Sequence, residues 1–307
     1  MKILIAGIGG VGGYFGGRLA QKNHNNPNLD IYFLARGEHL KQIQQHGLKV
    51  INKTGETFTA TPKLATDDVF QTGVADFILI CTKGYDLEQT ILQLKPCIAE
   101  HTIILPLLNG VDAKERIQQF LPETKILQGC VYIASHKKEA GVIENDGQFQ
   151  KIFFGDGTTD NPSLIWLEKT MKEAGIDATY SKNILAVTWE KFIFISPIAT
   201  ATSFFNTSFG PLLKDHEPTV VQLIDEIIKV ARSKGIETPE EIAEKTLNRL
   251  RLLPPENTSS MHRDFKANHQ TELNSLTGYV VNQAKDLQVE TPVYNKVYFQ
   301  LLMKAKR

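Results

Sequence analysis

The sequence predicts an α/β protein: an N-terminal Rossmann-type parallel sheet domain followed by an all-α C-terminal domain. Three observations carry this. A short apolar run at 2–6 leads into Gly7-Ile8-Gly9-Gly10-Val11-Gly12, which fits G-x-G-x-x-G, and then into a helical pattern of small residues at 13–19. Strand-like apolar runs alternate with helical patterns over the first half of the chain. After Tyr180 the pattern turns almost wholly helical. The expected domains are 1–180, binding a dinucleotide, and 181–307, carrying the catalytic residues.

In the first turn, Gly7 allows a sharp exit from the strand. Gly9 lets a pyrophosphate approach the backbone, and Gly12 lets the new helix pack closely on the sheet while its free N–H groups face the anion. Glycine-rich turns are common; the strand before and the helix after separate this one from a plain βα turn. The second strand, 31–35, ends at Arg36. NAD-binding domains place Asp or Glu there to hold the adenosine ribose. A guanidinium suits a 2′-phosphate instead, and the alternative is a solvated strand-end arginine. A helix at 40–46 is closed by Gly47, and 48–62 alternates around Lys53-Thr54-Gly55-Glu56 as a hairpin would.

The apolar strand at 77–81 runs into Thr82-Lys83-Gly84. Lys83 thus stands at the carboxyl end of a strand, where doubly wound sheets bind ligands, and either approaches a cofactor or is solvated. Another strand, 102–108, ends at Asn109-Gly110-Val111. Asn109 either hydrogen-bonds nicotinamide or substrate, or belongs to a simple turn. Residues 125–156 are strand-rich, with turns at Gly141 and Asp146-Gly147; 162–174 reads as a helix with Pro at its start and Gly175 after its end.

In the second domain, 183–195 is apolar nearly all round, with Ser181 as its expected N-cap. Such a helix belongs in an interior. Lys191 in its middle is the anomaly, since charges are almost never fully buried without a partner. Desolvation would lower its pKa and make it a usable general acid; the alternative is a snorkelling surface lysine. Pro197 is expected to break or kink the helix. An amphipathic helix at 220–234 is closed by Gly235, and Thr238-Pro239-Glu240-Glu241 reads as a capping box opening the next. A last long helical stretch carries Leu273, Leu276, Val280, Ala284 and Leu287 as one apolar stripe. Glu272 sits at its edge, facing either a cleft or bulk water.

Composition narrows the function classes. The 34 basic and 34 acidic residues cancel, so no basic excess points to nucleic acid. No run reaches the roughly 18 consecutive apolar residues of a membrane span, and the N-terminus does not read as a signal peptide. Three dispersed cysteines, Cys81, Cys97 and Cys130, without C-x-x-C suit a reducing cytoplasm. No spacing suggests a metal site. A homodimer paired through the helical domain is compatible with the sequence.

Taken together, Gly7-x-Gly9-x-x-Gly12, Arg36, Cys81-Thr82-Lys83, Leu108-Asn109-Gly110, Trp189-Glu190-Lys191 and Ser259-Ser260-Met261 with Thr271-Glu272 resemble the ketopantoate reductase (2-dehydropantoate 2-reductase) family over essentially the whole chain. The resemblance implies NADPH/NADP+ as cofactor and Lys191 as general acid. It implies Glu272 binding and orienting cofactor and substrate, Asn109 and Ser260 at the substrate, and Lys83 on the cofactor side. The family typically carries asparagines four and eight residues after the catalytic lysine; here those positions are Ile195 and Ala199. Ser196, Thr200 or Thr202 are candidates to replace their polarity.

The expected reaction is NADPH-dependent reduction of a small 2-keto acid, 2-dehydropantoate to (R)-pantoate first, as in pantothenate biosynthesis. Two alternatives stand beside it: an oxidoreductase for a less polar hydroxy or keto acid, and a non-catalytic NADP-sensing protein.

Overall fold

The computed structural model describes residues 1–53, 55–147 and 149–305. The chain forms two compact units. One comprises Met1–Leu108 and Ala113–Ile184; the other comprises Asn109–Asp112 and the chain from Leu185 onward.

The first unit is built along the chain as follows. β1 (Lys2–Ala6) turns at Gly7 into α1 (Gly10–Asn23), followed by β2 (Asp30–Leu34), α2 (Gly37–His46), the antiparallel pair β3 (Leu48–Asn52) and β4 (Phe58–Ala60), and β5 (Leu64–Thr66). The expected hairpin is therefore present, with Thr54 of its turn outside the described residues. Then come β6 (Phe77–Ile80), α3 (Leu87–Leu94), β7 (Ile103–Pro106), α4 (Ala113–Phe120), β8 (Lys125–Ile126), β9 (Gln128–Tyr132), β10 (Ser135–Glu139), β11 (Val142–Asn145), β12 (Lys151–Gly155), α5 (Pro162–Glu173) and β13 (Asp177–Tyr180).

Six strands form one sheet in the order β5-β2-β1-β6-β7-β8, every pairing parallel. The central strands are apolar on both faces, as helix-covered parallel strands must be. The order reverses beside β1, so the glycine turn leaves the sheet at the switch point where such folds bind ligands. A second sheet, β10-β11-β3-β4, lies against α1, and a third runs β13-β12-β9. The small residues of α1 serve both sides: Gly16 packs on Ile5 and Phe33, and Gly13 and Gly17 pack on Ile143 and Val50.

The second unit is helical: α6 (Ile184–Phe205), α7 (Phe209–Ser233), α8 (Ile242–Arg251), α9 (Ser260–Lys266), a π-helical segment (Asn274–Gly278), α10 (Tyr279–Asp286) and α11 (Pro292–Ala305). Two local expectations are corrected here, the Thr238 capping box and the last long helix, and two are made more specific, at Pro197 and at 220. Of the two outcomes expected at Pro197, a break is excluded: α6 runs on to Phe205 with the proline inside it. An interior proline costs about 3 kcal/mol. Burying Phe192, Ile193 and Ile198 in one apolar core offsets it, at roughly 1.5–3 kcal/mol per large side chain.

The helix expected from 220 is the second of two helical stretches joined across a kink at His216, whose φ of −137° breaks the repeat just before Pro218; a shorter stretch from Phe209 precedes it. The Thr238 capping box does not form: α8 starts at Ile242, and the Thr238 hydroxyl accepts from Arg232 Nε at 2.9 Å. The last long stretch is interrupted, with α9 closing at Lys266 and the π-helical turn preceding α10.

α6 is long and apolar enough to cross a membrane, but 67% of its most apolar window is buried. It is the core helix of its unit, where Trp189 and Phe192 stack edge-on at 5.6 Å and both meet Tyr279. A buried carboxylate anchors α11: Glu226 of α7 accepts from Val293 N–H and Tyr294 N–H, each at 2.9 Å. Desolvation pushes its pKa up, while these two bonds act in the opposite direction. Glu226→Ala leaves both first-turn donors without that partner and is expected to cost ~2–3 kcal/mol, read as a shifted midpoint in denaturant unfolding. A variant as stable as the parent would make the anchor dispensable.

Candidate active site

The residues singled out in the sequence fall into two groups. The first surrounds the glycine turn. Gly12 is needed for contact: a Cβ there would overlap the Gly7 carbonyl oxygen and stand 2.8 Å from Cys81 Cβ. Gly9 differs, since a Cβ there would meet nothing within 4 Å. Its open side is a cradle beside the first turn of α1, whose N–H groups lack intrahelical acceptors. Thr82 Oγ1, beside Gly7, is buried with no hydrogen-bond partner among the described residues. An open cradle, free amides and an orphaned hydroxyl fit a dinucleotide at Gly7, Ile8, Gly9, Gly10, Val11 and Gly12.

Arg36 is exposed, extended at φ −143°, and stands immediately before α2. It has no ion-pair partner among the described residues, so its guanidinium is available to an anion. Lys83 is half-buried in extended backbone at the carboxyl end of β6. The Cys81 thiol is pushed up to about 12 by desolvation, which keeps it protonated and removes it as a nucleophile.

The second group lies in the helical unit. Lys191 is only 8% exposed and Glu272 only 4%. The Asn109 side chain joins them: Lys191 Nζ donates to Asn109 Oδ1 at 3.0 Å, and Asn109 Nδ2 donates to Glu272 Oε2 at 3.3 Å. A cation on one side and a carboxylate on the other thus settle which way the amide points. The Asn109-Gly110 turn delivers this side chain, with Gly110 at φ +99°, a left-handed conformation in which a Cβ would also press on Asp112 and the Ser275 carbonyl.

Glu272 lies two residues before the π-helical turn, separated from it by Leu273; such a local widening is frequent at functional sites. The alternatives of a snorkelling lysine and a solvent-facing glutamate do not describe these two buried groups. Ser260 stands apart from this chain of hydrogen bonds, half-buried as the first residue of α9.

The hydroxyls considered as replacement pocket polarity are already used within the helical unit. Ser196 Oγ bonds Tyr294 and the Leu276 carbonyl, Thr200 bonds Thr277, and Thr202 bonds Ser259. Lys191, Ile195 and Ala199 share one face of α6 by their spacing of four. Sequence reasoning quoted Thr82 only as the middle of Cys81-Thr82-Lys83 and gave it no role. His136, Glu144 and Asp146 also cluster. Lys53 and Lys138 pair with these carboxylates, so their charge is already met.

A parallel sheet with a dinucleotide-type turn at its switch point, followed in the chain by a helical unit holding a buried lysine–amide–carboxylate chain, defines a nucleotide-dependent oxidoreductase. The model described as ketopantoate reductase PanE/ApbA matches residues 3–158, and that of its C-terminal part matches 183–305. The chain belongs to this ketopantoate reductase family of pyridine-nucleotide-dependent oxidoreductases. It is 30% identical to the uncharacterized oxidoreductase YkpB of Bacillus subtilis, over 99% of this chain and 98% of that one. The crystal structure of 2-dehydropantoate 2-reductase from Porphyromonas gingivalis W83 is similar at TM-score 0.87 and 34% identity, covering 98% and 99% of the two chains. A D-mandelate dehydrogenase solved with NADH and anilino(oxo)acetate shares the fold at TM-score 0.86 and 23% identity, over 100% of this chain and 99% of the other.

Proposed function

We propose that the protein reduces a small 2-keto acid with NADPH, with 2-dehydropantoate to (R)-pantoate as the first choice of reaction. The observation that carries this is the buried Lys191–Asn109–Glu272 chain. When bound, the nicotinamide supplies the hydride. Gly7 to Gly12 hold the pyrophosphate, Arg36 the 2′-phosphate, and Lys83 the cofactor side. Lys191 polarises the keto oxygen with its ammonium group and donates a proton to that oxygen as it becomes an alkoxide. Asn109 holds the Lys191 tip through Oδ1 and is itself held through Nδ2 by Glu272, which restricts the ammonium group to one direction. Asn109 and Ser260 contribute to binding the substrate.

The test is NADPH oxidation, followed by absorbance, over a panel of 2-keto acids. Turnover with 2-dehydropantoate is expected; no oxidation with any member would remove the reading. A second reading, reduction of a less polar keto acid, is favoured by Ile195 and Ala199 on the Lys191 face and by the prior engagement of Ser196, Thr200 and Thr202. A phenyl-substituted 2-keto acid in the same panel separates the two by kcat/KM.

Arg36 leads to a cofactor prediction. NADPH is expected to bind more tightly than NADH, and Arg36→Asp to weaken NADPH by up to about 3 kcal/mol, a charge-assisted hydrogen bond plus new repulsion. NADH should suffer much less. Equal wild-type affinities in a fluorescence titration would assign Arg36 to solvent.

A further inference from the structure

His39 of α2 has no place in the reaction, yet it bridges two segments far apart in sequence. Gly141 N–H, in the turn between β10 and β11, donates to His39 Nδ1 at 2.8 Å. That nitrogen must therefore carry a lone pair, which places the ring proton on Nε2. His39 Nε2 lies 2.7 Å from the Ile8 carbonyl oxygen and donates to it. Ile8 is the residue between Gly7 and Gly9, so this bond fixes the Ile8–Gly9 peptide plane. In a trans peptide the N–H points opposite to the C=O. The Gly9 N–H is thereby aimed away from His39, and a rotated plane would present a carbonyl where an anion needs a donor.

We propose that His39 is a positioning residue that holds the glycine turn in its anion-receiving conformation, as the neutral Nε2–H tautomer alone. The role rests on the reading that this turn takes a dinucleotide. Protonation at Nδ1 would keep the Nε2–H donor to Ile8 but set an N–H against the Gly141 N–H, two donors facing each other, so the ring would lose its Gly141 anchor and be pushed off the position from which it holds Ile8. Burial lowers the His39 pKa; the bond to Ile8 opposes that, and Lys137 on β10 adds to the lowering. On α2 itself, Glu38 and Lys41 are paired with each other, and the glycine turn carries no charge. With a folded-state pKa below the usual ~6.5, the bridge is complete above that pH and lost as pH falls through the lowered value.

The experiment is NADP+ titration of the wild type, His39→Ala and His39→Gln between about pH 5.5 and 8, the range in which histidine titrates. His39→Ala is expected to bind about tenfold more weakly at neutral pH, the worth of a hydrogen bond. His39→Gln, which offers an N–H for the Ile8 carbonyl and an amide oxygen for the Gly141 N–H but has no titrating group, is expected to stay near wild type and lose less affinity on acidification. The ligand's own phosphate titrates identically in all three proteins, so the difference between proteins is the readout.

Independently of any ligand, ¹⁵N shifts of the His39 ring should show the Nε2–H tautomer at neutral pH. Equal affinity of His39→Ala and wild type, parallel pH profiles for wild type and His39→Gln, or an Nδ1–H tautomer would overturn the role alone. Failure of the wild type to bind NADP+ would instead overturn the cofactor reading and the role with it.

Discussion

Lys191→Ala is expected to lower turnover by about 100- to 10,000-fold, the usual worth of a positioned general acid, while NADPH binding stays near wild type. The expectation starts from burial: a lysine 8% exposed on a predominantly apolar helix, with its Nζ held 3.0 Å from Asn109 Oδ1. Truncation removes the proton donor and leaves Asn109 Oδ1 without this donor. The glycine turn and Arg36 belong to the other compact unit and are untouched.

The pH profile of turnover should also lose its high-pH limb, which reports deprotonation of the acid. Lys191→Arg should not restore activity, because a guanidinium keeps the charge but does not readily give up a proton. Steady-state kinetics against pH, with cofactor affinity measured in parallel, decides the matter. Near-wild-type turnover by Lys191→Ala, on a substrate the parent reduces well, would leave the mechanism without its acid.

Glu272→Ala is expected to reduce kcat/KM by about 100-fold, the scale of a small misplacement of reacting groups, and also to lower stability by about 1–3 kcal/mol, the cost of a buried donor left unmatched. A glutamate at the edge of a solvated helix would affect neither stability nor packing. At 4% exposure, with Oε2 accepting from Asn109 Nδ2 at 3.3 Å, Glu272 is instead part of the support for the Asn109 amide. Glu272→Gln preserves shape and tests the charge: stability should largely return, while kcat/KM should remain impaired. A stability loss in Glu272→Ala with unchanged kinetics would make the carboxylate purely structural.

Elements whose cause is local were legible in the chain. The apolar run, the glycine turn and the small-residue helix lie within 23 residues of the N-terminus, and β1 and α1 form there. Gly47, Gly175 and Gly235 mark helix ends because each adopts a positive φ, a property of one residue and its immediate neighbours. The sheet β10-β11-β3-β4 was not legible, because its pairing of β11 with β3 joins residues about ninety apart, and strand-forming patterns do not name their partners. The run of α6 beyond its expected end at 195 has a physical reason. Capping and proline effects are worth one to a few kcal/mol, and burial of several large side chains outweighs them, as along α6 at Pro197.

By itself, the sequence determined the chemistry available to this protein. It set a dinucleotide-type turn near the N-terminus, a guanidinium where NAD-binding domains place a ribose-binding carboxylate, and one ammonium in a largely apolar helix. Only the tertiary structure decided which side chains meet. Asn109 follows a strand of the parallel sheet, yet Asn109–Asp112 pack with the helical unit, where the amide reaches a lysine 82 positions and a glutamate 163 positions further along the chain. No local pattern encodes such a meeting. A polar side chain is carried into an interior when its hydrogen bonds are satisfied there, and the partners that satisfy Asn109 exist at one place only after α6 and the Glu272 segment have packed together.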